Sequence, residues 1–410
     1  MLLKFSVENF RSISKRCEIN FLATKDEEHQ NYIRESSDLR ILPTIVTYGA
    51  NGSGKTNMAK AINAAQYIIM TSSNLHDGDQ IPYNPFKLKV EYHTKPTLFE
   101  FLFIQNDQRY RYGFSFTNER VVSEFLHTYP NGRQTIIFER ELDSYNFKSD
   151  KKELEVLASR TNKNKLFLSS AAVWNYEKII PAFRYFKDQI LINSNFEKNY
   201  NWLEYTIQKV EKNIRFKKLL ISILSDLGTG IVDIRGKVEK RSSPYNKDPR
   251  SMGFSELKLL RKGYDLEGNI VGMQFDLLEE SKGTQKLIEL IGPWIDIMSQ
   301  GKLIVVDELD TSLHPMISQY LVKMFNNKES NPNGGQLFFT THDTNLLDLD
   351  FFRRDQIYFT EKNSLGESDF YSLSDLKSIR KDENIRKGYI KGKYGAIPFL
   401  DSNVSEVKNG

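Results

Sequence analysis

The stretch "YGANGSGKTN", residues 48 to 57, constrains this chain more than any other. Gly49 to Thr56 fit the pattern G-x-x-x-x-G-K-[ST]. Ahead of them "PTIVTYG" is a short β-branched run, and behind them Met58, Ile62, Ala65 and Ile69 recur at helical spacing. A buried strand therefore has to feed a glycine-rich turn that opens a helix, the context that separates a phosphate loop from a chance match. Gly49, Gly52 and Gly54 carry no Cβ, so consecutive N–H groups from Asn51, Gly52, Ser53 and Gly54 can turn inward around a phosphate. The helix N-terminus adds its dipole. Lys55 is placed to neutralise the β- and γ-phosphates, and Thr56 to offer its hydroxyl to magnesium.

A second half-site lies far along the chain. In "LIVVDELDTSLHP" the apolar residues Leu303 to Val306 form a buried strand ending in Asp307 and Glu308. Asp307 can hold magnesium through water, and Glu308 can polarise a water toward the γ-phosphate. "ESKGTQ", residues 280 to 285, opens a helix, with Ser281 lying 26 positions before Asp307. Ser281 and Gly283 offer a hydroxyl and bare backbone at that helix N-terminus, where an anion is favoured. Asp310 follows the acid pair, and His342 ends the apolar strand "QLFFTT", 35 residues past Asp307.

Strands alternating with helices at both ends imply one α/β sheet assembled from distant segments. "LLKFSVENF" and "CEINFL" alternate with period two and read as a hairpin-like pair. "KLKVEYH", "FEFLFIQ", "YRYGFSF" and "TIIFER" read as an antiparallel meander; residues 150 to 227 read as mostly helical, and 235 to 253 as an exposed basic loop. The chain divides on this reading into an N-terminal lobe over 1–145, a mainly helical insertion with the basic loop over 146–275, and a C-terminal lobe over 276–410. The fold class is α/β, a mixed-sheet core with an antiparallel β meander plus a short helical insertion.

Composition narrows the rest. Cys17 is the one cysteine, read as a small strand residue, so an intramolecular disulfide and a thiolate zinc site are excluded and a reducing cytoplasm is the expected setting. No apolar run approaches the roughly 18 residues of a membrane helix, so no membrane partner is expected. Net charge is +4, unevenly spread: residues 235–262 hold nine Lys/Arg against three acids, and 377–393 hold seven against two. Both segments are candidate contacts for nucleic acid or another polyanionic partner.

The order and spacing of these pieces resemble the ABC-type ATPases of the SMC/RecF/OLD group. In that resemblance "GANGSGKT" is the Walker A loop, "SKG" a degenerate signature, "LIVVDE" Walker B, "LDTSLHP" the D-loop region with Asp310, and "TTH" carries the switch histidine, His342. "FSVENFRSI" resembles the N-terminal strand of the group and implies that Arg11 and Ser12 lie near the nucleotide. The signature departs at Lys282, where a glycine is usual, and no Q-loop glutamine is assigned. "PTLFEF…YRYGF" and "KGKYGAIP" are similar, more narrowly, to AAA-family ATPase subunits of two-component phage-defence systems such as AbiL and PARIS.

The resemblance implies an ABC/SMC-like ATPase head using ATP and magnesium, with Glu308 and His342 catalytic. It also implies at least a homodimer, in which Ser281 and Gly283 of one subunit close the ATP site of the other. Two functions follow as expectations. One is a sensor or scaffold ATPase of an abortive-infection system, acting on a separate effector, a Toprim-type nuclease, with a phage protein or nucleic acid at the basic segments. The other is a RecF-like DNA-repair clamp that dimerises on DNA. No nuclease is expected in this chain: Asp343, Asp348, Asp350 and Asp355 read as solvated loop acids and helix caps. Tyr394, Ile397 and Phe399 in the tail are expected to anchor a partner.

Overall fold

The computed structural model describes residues 1–193, 202–239, 254–311, 313–377, 379 and 383–397. The opening alternation becomes β1 (Leu2–Glu8) antiparallel to β2 (Cys17–Asn20), with Phe5 opposite Ile19. A short ribbon of β3 (Arg34–Ser36) and β4 (Leu39–Ile41) precedes β5 (Thr44–Gly49), which is buried throughout and runs through the glycine loop into α1 (Lys55–Thr71). The meander is β6 (Thr97–Gln105), β7 (Gln108–Phe116), β8 (Val121–Thr128), β9 (Thr135–Glu141) and β10 (Ser144–Phe147). It joins the first hairpin in a seven-stranded antiparallel sheet, β10-β9-β8-β7-β6-β1-β2.

Residues 87–93, expected as a meander strand, make a turn instead. The reason is Asn9: its Nδ2 donates to the carbonyls of Tyr92 and Lys95, and its Oδ1 accepts from Phe86 N. Asn9 thereby ties the chain at Tyr92 and on both flanks of the segment, and Leu88 and Val90 are exposed.

Helices α2 (Lys151–Ser159), α3 (Phe167–Val173) and α4 (Ile180–Asp188) do not protrude. They pack with α1 against the antiparallel sheet, Tyr185 stacking on Phe103 at 4.0 Å between ring centres. Then β11 (Ile190–Asn193) enters the second sheet. The outlying unit is α5 (Trp202–Lys212), α6 (Ile214–Asp226), β12 (Ile231–Glu239), β13 (Phe254–Tyr264) and β14 (Ile270–Asp276), the strands forming a three-stranded antiparallel sheet. The 146–275 span is thus less helical than expected. Residues 235–239 of the expected loop are strand, while 240–253, with Tyr245, lie outside the described residues.

After it come α7 (Lys282–Gln300), β15 (Leu303–Val306), α8 (Pro315–Asn326), β16 (Gln336–Thr340), β17 (Ile357–Lys362), β18 (Ser368–Ser372) and α9 (Ile385–Ile390). The second sheet has the order β11-β15-β16-β5-β17-β18, parallel except for β18. Five of its strands come from the two ends of the chain, as the alternation of strands and helices predicts, and β11 comes from the middle. The mixed α/β core and the antiparallel meander are both present.

Candidate functional site

Neighbouring parallel strands end together, so the residues just past each strand share one edge of the sheet. Val306 of β15 lies opposite Phe339 of β16, and Thr340 lies opposite Thr47 of β5. Asp307, Thr340 and the glycine loop are thereby aligned side by side. Ligands of open α/β sheets bind at such carboxyl ends.

Gly54 has φ 109°, a left-handed conformation, and a Cβ there would run into the hydroxyls of Ser368 and Ser12. The side chains around it form a knot. Asn57 Nδ2 donates to Ser12 Oγ at 2.6 Å, Ser368 Oγ donates to Ser53 O at 2.6 Å, and Ser368 Oγ lies 2.7 Å from Ser12 Oγ. Ser12 thus props the loop from behind. Arg11 is exposed, its guanidinium 5.7 Å from the centre of the Phe10 ring. It helps to lower the Lys60 ammonium, after burial and against Asp307, which puts Lys60 in the same electrostatic neighbourhood.

Lys55 is buried, and its Nζ donates to Gly49 O at 2.6 Å and Ala50 O at 3.1 Å. Burial lowers its pKa to about 8, although Glu308, Asp307 and Asp310 pull it upward. Thr56 Oγ1 lies 3.1 Å from both oxygens of Asp307. Thr340 is the hinge of the acid pair: its hydroxyl donates to Asp307 Oδ1 at 2.7 Å and accepts from Glu308 N at 2.9 Å. Glu308 sits at φ 53°, unusual for a residue with a side chain, and Leu309 N bonds Thr340 O at 3.0 Å just beyond it. Next, Asp310 Oδ1 accepts from Thr341 Oγ1 at 2.7 Å and from His342 N at 3.2 Å. The segments that follow β15 and β16 are therefore bonded to each other. Desolvation first, then Lys55, lowers the His342 pKa below its ordinary 6.5, leaving the imidazole neutral at pH 7.

The fit to a magnesium nucleotide rests on these atoms. The buried Ser53 hydroxyl has no hydrogen-bond partner, Lys55 satisfies itself only on loop carbonyls, and Thr56 and Asp307 face each other as one hydroxyl and one carboxylate. Magnesium is commonly held by one or two carboxylates completed by phosphate and water. Asn51 and Gly52 are exposed at the loop tip, open to a ligand.

Ser281 and Gly283 lie at the start of α7. Ser281 is the exposed N-cap of α7, its hydroxyl accepting from Thr284 N at 3.1 Å and sharing a hydrogen with Thr284 Oγ1 at 2.9 Å. Within one chain it caps a helix. β11 ends at Asn193, opposite Val306; residues 194–201 lie outside the described residues.

Sequence reasoning missed Thr340, Thr341, Asn57, Lys60 and Ser368. The doublet of threonines ending an otherwise apolar strand was the available signal for two of them. Two further expectations change. Asp355 is buried in an ion pair with Arg353 at 2.8 Å, not solvated. Tyr394 is buried, stacked on Phe359 at 5.7 Å, and Ile397 is partly buried against the same cluster, so both are used internally; Phe399 lies outside the described residues. In the basic segments Lys258 pairs with Glu256 and Asp276, Arg261 with Glu280, and Lys393 with Glu383.

Among the described residues no helix is long and apolar enough to cross a membrane, and no three His, Cys, Asp or Glu residues cluster as metal ligands. A family model described as "AAA domain, putative AbiEii toxin, Type IV TA system" matches residues 46–348. The chain is also similar to the SMC head domain from Thermotoga maritima, with 13% identity and a TM-score of 0.41 over 90% of this chain and 98% of that one. A second likeness is an SMC head bound to the C-winged helix domain of ScpA (15%, TM-score 0.43, 90% and 97% covered). A third is a head domain with an extended coiled coil bound to the C-terminal domain of ScpA derived from Pyrococcus furiosus (14%, TM-score 0.39, 90% and 96% covered). No curated protein matches the sequence.

Proposed function

We propose a function from one premise: the chain belongs to the AAA-domain family of AbiEii type, whose model spans most of it, from residue 46 to 348. It binds ATP and hydrolyses it to ADP and phosphate. One observation carries this reading. The Thr56 hydroxyl meets both oxygens of Asp307, and Thr340 ties that same carboxylate to the backbone of Glu308.

Thr56 and Asp307 would hold magnesium, which when bound neutralises charge on the β- and γ-phosphate oxygens. Lys55 exchanges the carbonyls of Gly49 and Ala50 for phosphate oxygens. Glu308 takes the proton of the attacking water, and neutral His342 donates a hydrogen bond to the γ-phosphate. Ser281 and Gly283 of a second subunit complete the site, which makes the working unit a homodimer at least. The decisive assay is Glu308→Gln: nucleotide should bind and persist, and wild-type turnover in that variant would sink the assignment of the base.

The biological reading is a sensor or scaffold ATPase in abortive infection, governing a separate nuclease effector of Toprim type. The family description, which names a toxin of a toxin–antitoxin system, supports it. Its cheap test is the neighbouring gene. A nuclease gene alongside agrees with it, whereas replication genes alongside would favour the repair clamp.

A further inference from the structure

Six exposed large apolar side chains fall within fifteen residues: Tyr264, Leu266, Ile270, Met273, Phe275 and Leu278. Scattered singly such residues are ordinary, but crowded together they mark a contact surface. They surround β14, the outer strand of the small sheet. One face of that sheet is packed by α5 and α6, whose core takes in Ile231, Ile234, Leu257 and Leu259. The cover stops at β13. Phe275 lies opposite Leu259 and so on the same face, yet Leu259 is 0% exposed and Phe275 36%. Val271, Met273 and Phe275 extend the covered face as an apolar row, Val271 half-buried and the other two exposed. Natural sheets blunt such an edge with lysine, proline or a bulge. "IVGMQFD" has none of these, and its one charge, Asp276, is held by Lys258.

We propose that β14 pairs antiparallel with β14 of a second copy of this chain, about a twofold axis at Met273. The strand reads compatibly in both directions, and this selects the occupant. Met273 meets the partner's Met273, and Val271 meets the partner's Phe275, so the two apolar rows lie side by side on one face and pack laterally. Gly272 meets the partner's Gln274, and Ile270 the partner's Asp276. No like charges face each other, and the two edges satisfy each other's backbone groups. An isologous contact of this kind needs a single self-complementary patch. It asks nothing of the phosphate loop, so it forms without nucleotide and stands or falls separately from the ATPase reading.

The test uses the full chain without nucleotide. Directly opposite Cα atoms in such a pair are about 4.5–5.5 Å apart, within the roughly 4.4–6.8 Å of a disulfide. Met273→Cys should therefore cross-link to a dimer under mild oxidant. Ile270→Cys places its two thiols about 20 Å apart, at roughly 3.4 Å per residue over six residues, and should not link. Native Cys17 does not compete, since it is buried and its thiol is pushed up to about 12. Light scattering should give a dimer for the wild type and a monomer for Met273→Lys, which sets two like charges face to face on an exposed strand. A monomeric wild type would leave the strand to some other partner and overturn the proposal. So would Met273→Cys that stays unlinked, or Ile270→Cys that links as readily.

Discussion

Thr340 shows how much of this site is held by a residue with no chemistry of its own to advertise. Its hydroxyl donates to one acid and accepts from the backbone of the next, so a valine of nearly the same shape would strip partners from both. Each unsatisfied buried group costs about 1–3 kcal/mol. Thr340→Val should lower turnover and weaken the magnesium dependence, with a measurable fall in melting temperature, while Thr340→Ser should restore all three. Equal behaviour of the two variants in a magnesium titration of turnover would show the hydroxyl to be idle. Lys55, Thr56, Asp307 and Glu308 could be singled out in the sequence by type and order; Thr340 could not, because only the register of β16 beside β15 gives it two partners. Lys55 also sets a pH dependence. Burial holds its pKa near 8, below the ordinary 10.5, whereas a bound triphosphate favours the ammonium. Binding must then take up a proton above about pH 8. ATP affinity should be level below that pH and fall above it, approaching about tenfold per unit. The folding linkage runs the other way: between about 8 and 10.5 the unfolded chain holds more protons here, so this burial cost is relieved as pH rises. Calorimetric titration from pH 7 to 9.5 checks the binding claim, and a flat profile would contradict it.

Short apolar runs bounded by glycine or acids were read correctly as β5, β15 and β16, since a strand buried on both faces has no polar alternation to confuse it. The same reasoning failed where other contacts decide. "KLKVEYH" alternates well but is tied by Asn9 at Tyr92 and on both flanks. β12 to β14 carry many charges, and β14 is exposed along its length, so their periodicity is masked. The tail was misread for a related reason: aromatic residues near a terminus suggest a partner, and here the partner is the chain itself. Tyr389 and Tyr394 stack on Phe359, and Tyr389 lies 6.0 Å from Tyr48, the residue before the glycine loop. Tyr371 OH donates to Tyr394 O at 2.6 Å, closing the turn. Removing a buried ring of this size costs about 3–5 kcal/mol. Tyr394→Ala should accordingly lower the denaturant midpoint with an unchanged slope. A variant as stable as the wild type would return Tyr394 to the role of an external anchor.

Seen whole, the molecule brings the glycine loop and Asp307 to one edge of the second sheet and sets Ser281 at the start of the helix that precedes β15. α7 leads down into β15, so its N-terminus points to the edge where Asp307 lies. Its 19 residues span about 28 Å at roughly 1.5 Å per residue, against about 13 Å for the four residues of β15. By these lengths the N-terminus of α7 reaches beyond the end of β15, and Ser281 there is exposed. An exposed helix N-terminus suits the phosphates of another subunit, and this geometry is what makes complementation the right test. Ser281→Arg should abolish turnover by blocking the partner's nucleotide, and Lys55→Ala by weakening binding roughly a hundredfold, about 3 kcal/mol for a lost charge-assisted contact. Mixed in equal amounts, half the dimers pair one variant with the other, and each such dimer holds one intact Lys55 facing one intact Ser281. Activity should return to about a quarter of the wild-type value if the subunits exchange freely in a twofold dimer. The same preparation, incubated with magnesium or manganese, should leave plasmid, single-stranded DNA and transfer RNA uncut, because the proposed effector is a separate chain. Two inactive variants that stay inactive together, after exchange has been verified by mass, would place Ser281 outside the ATP site and leave Lys55, Thr56, Asp307 and Glu308 to act within a single subunit.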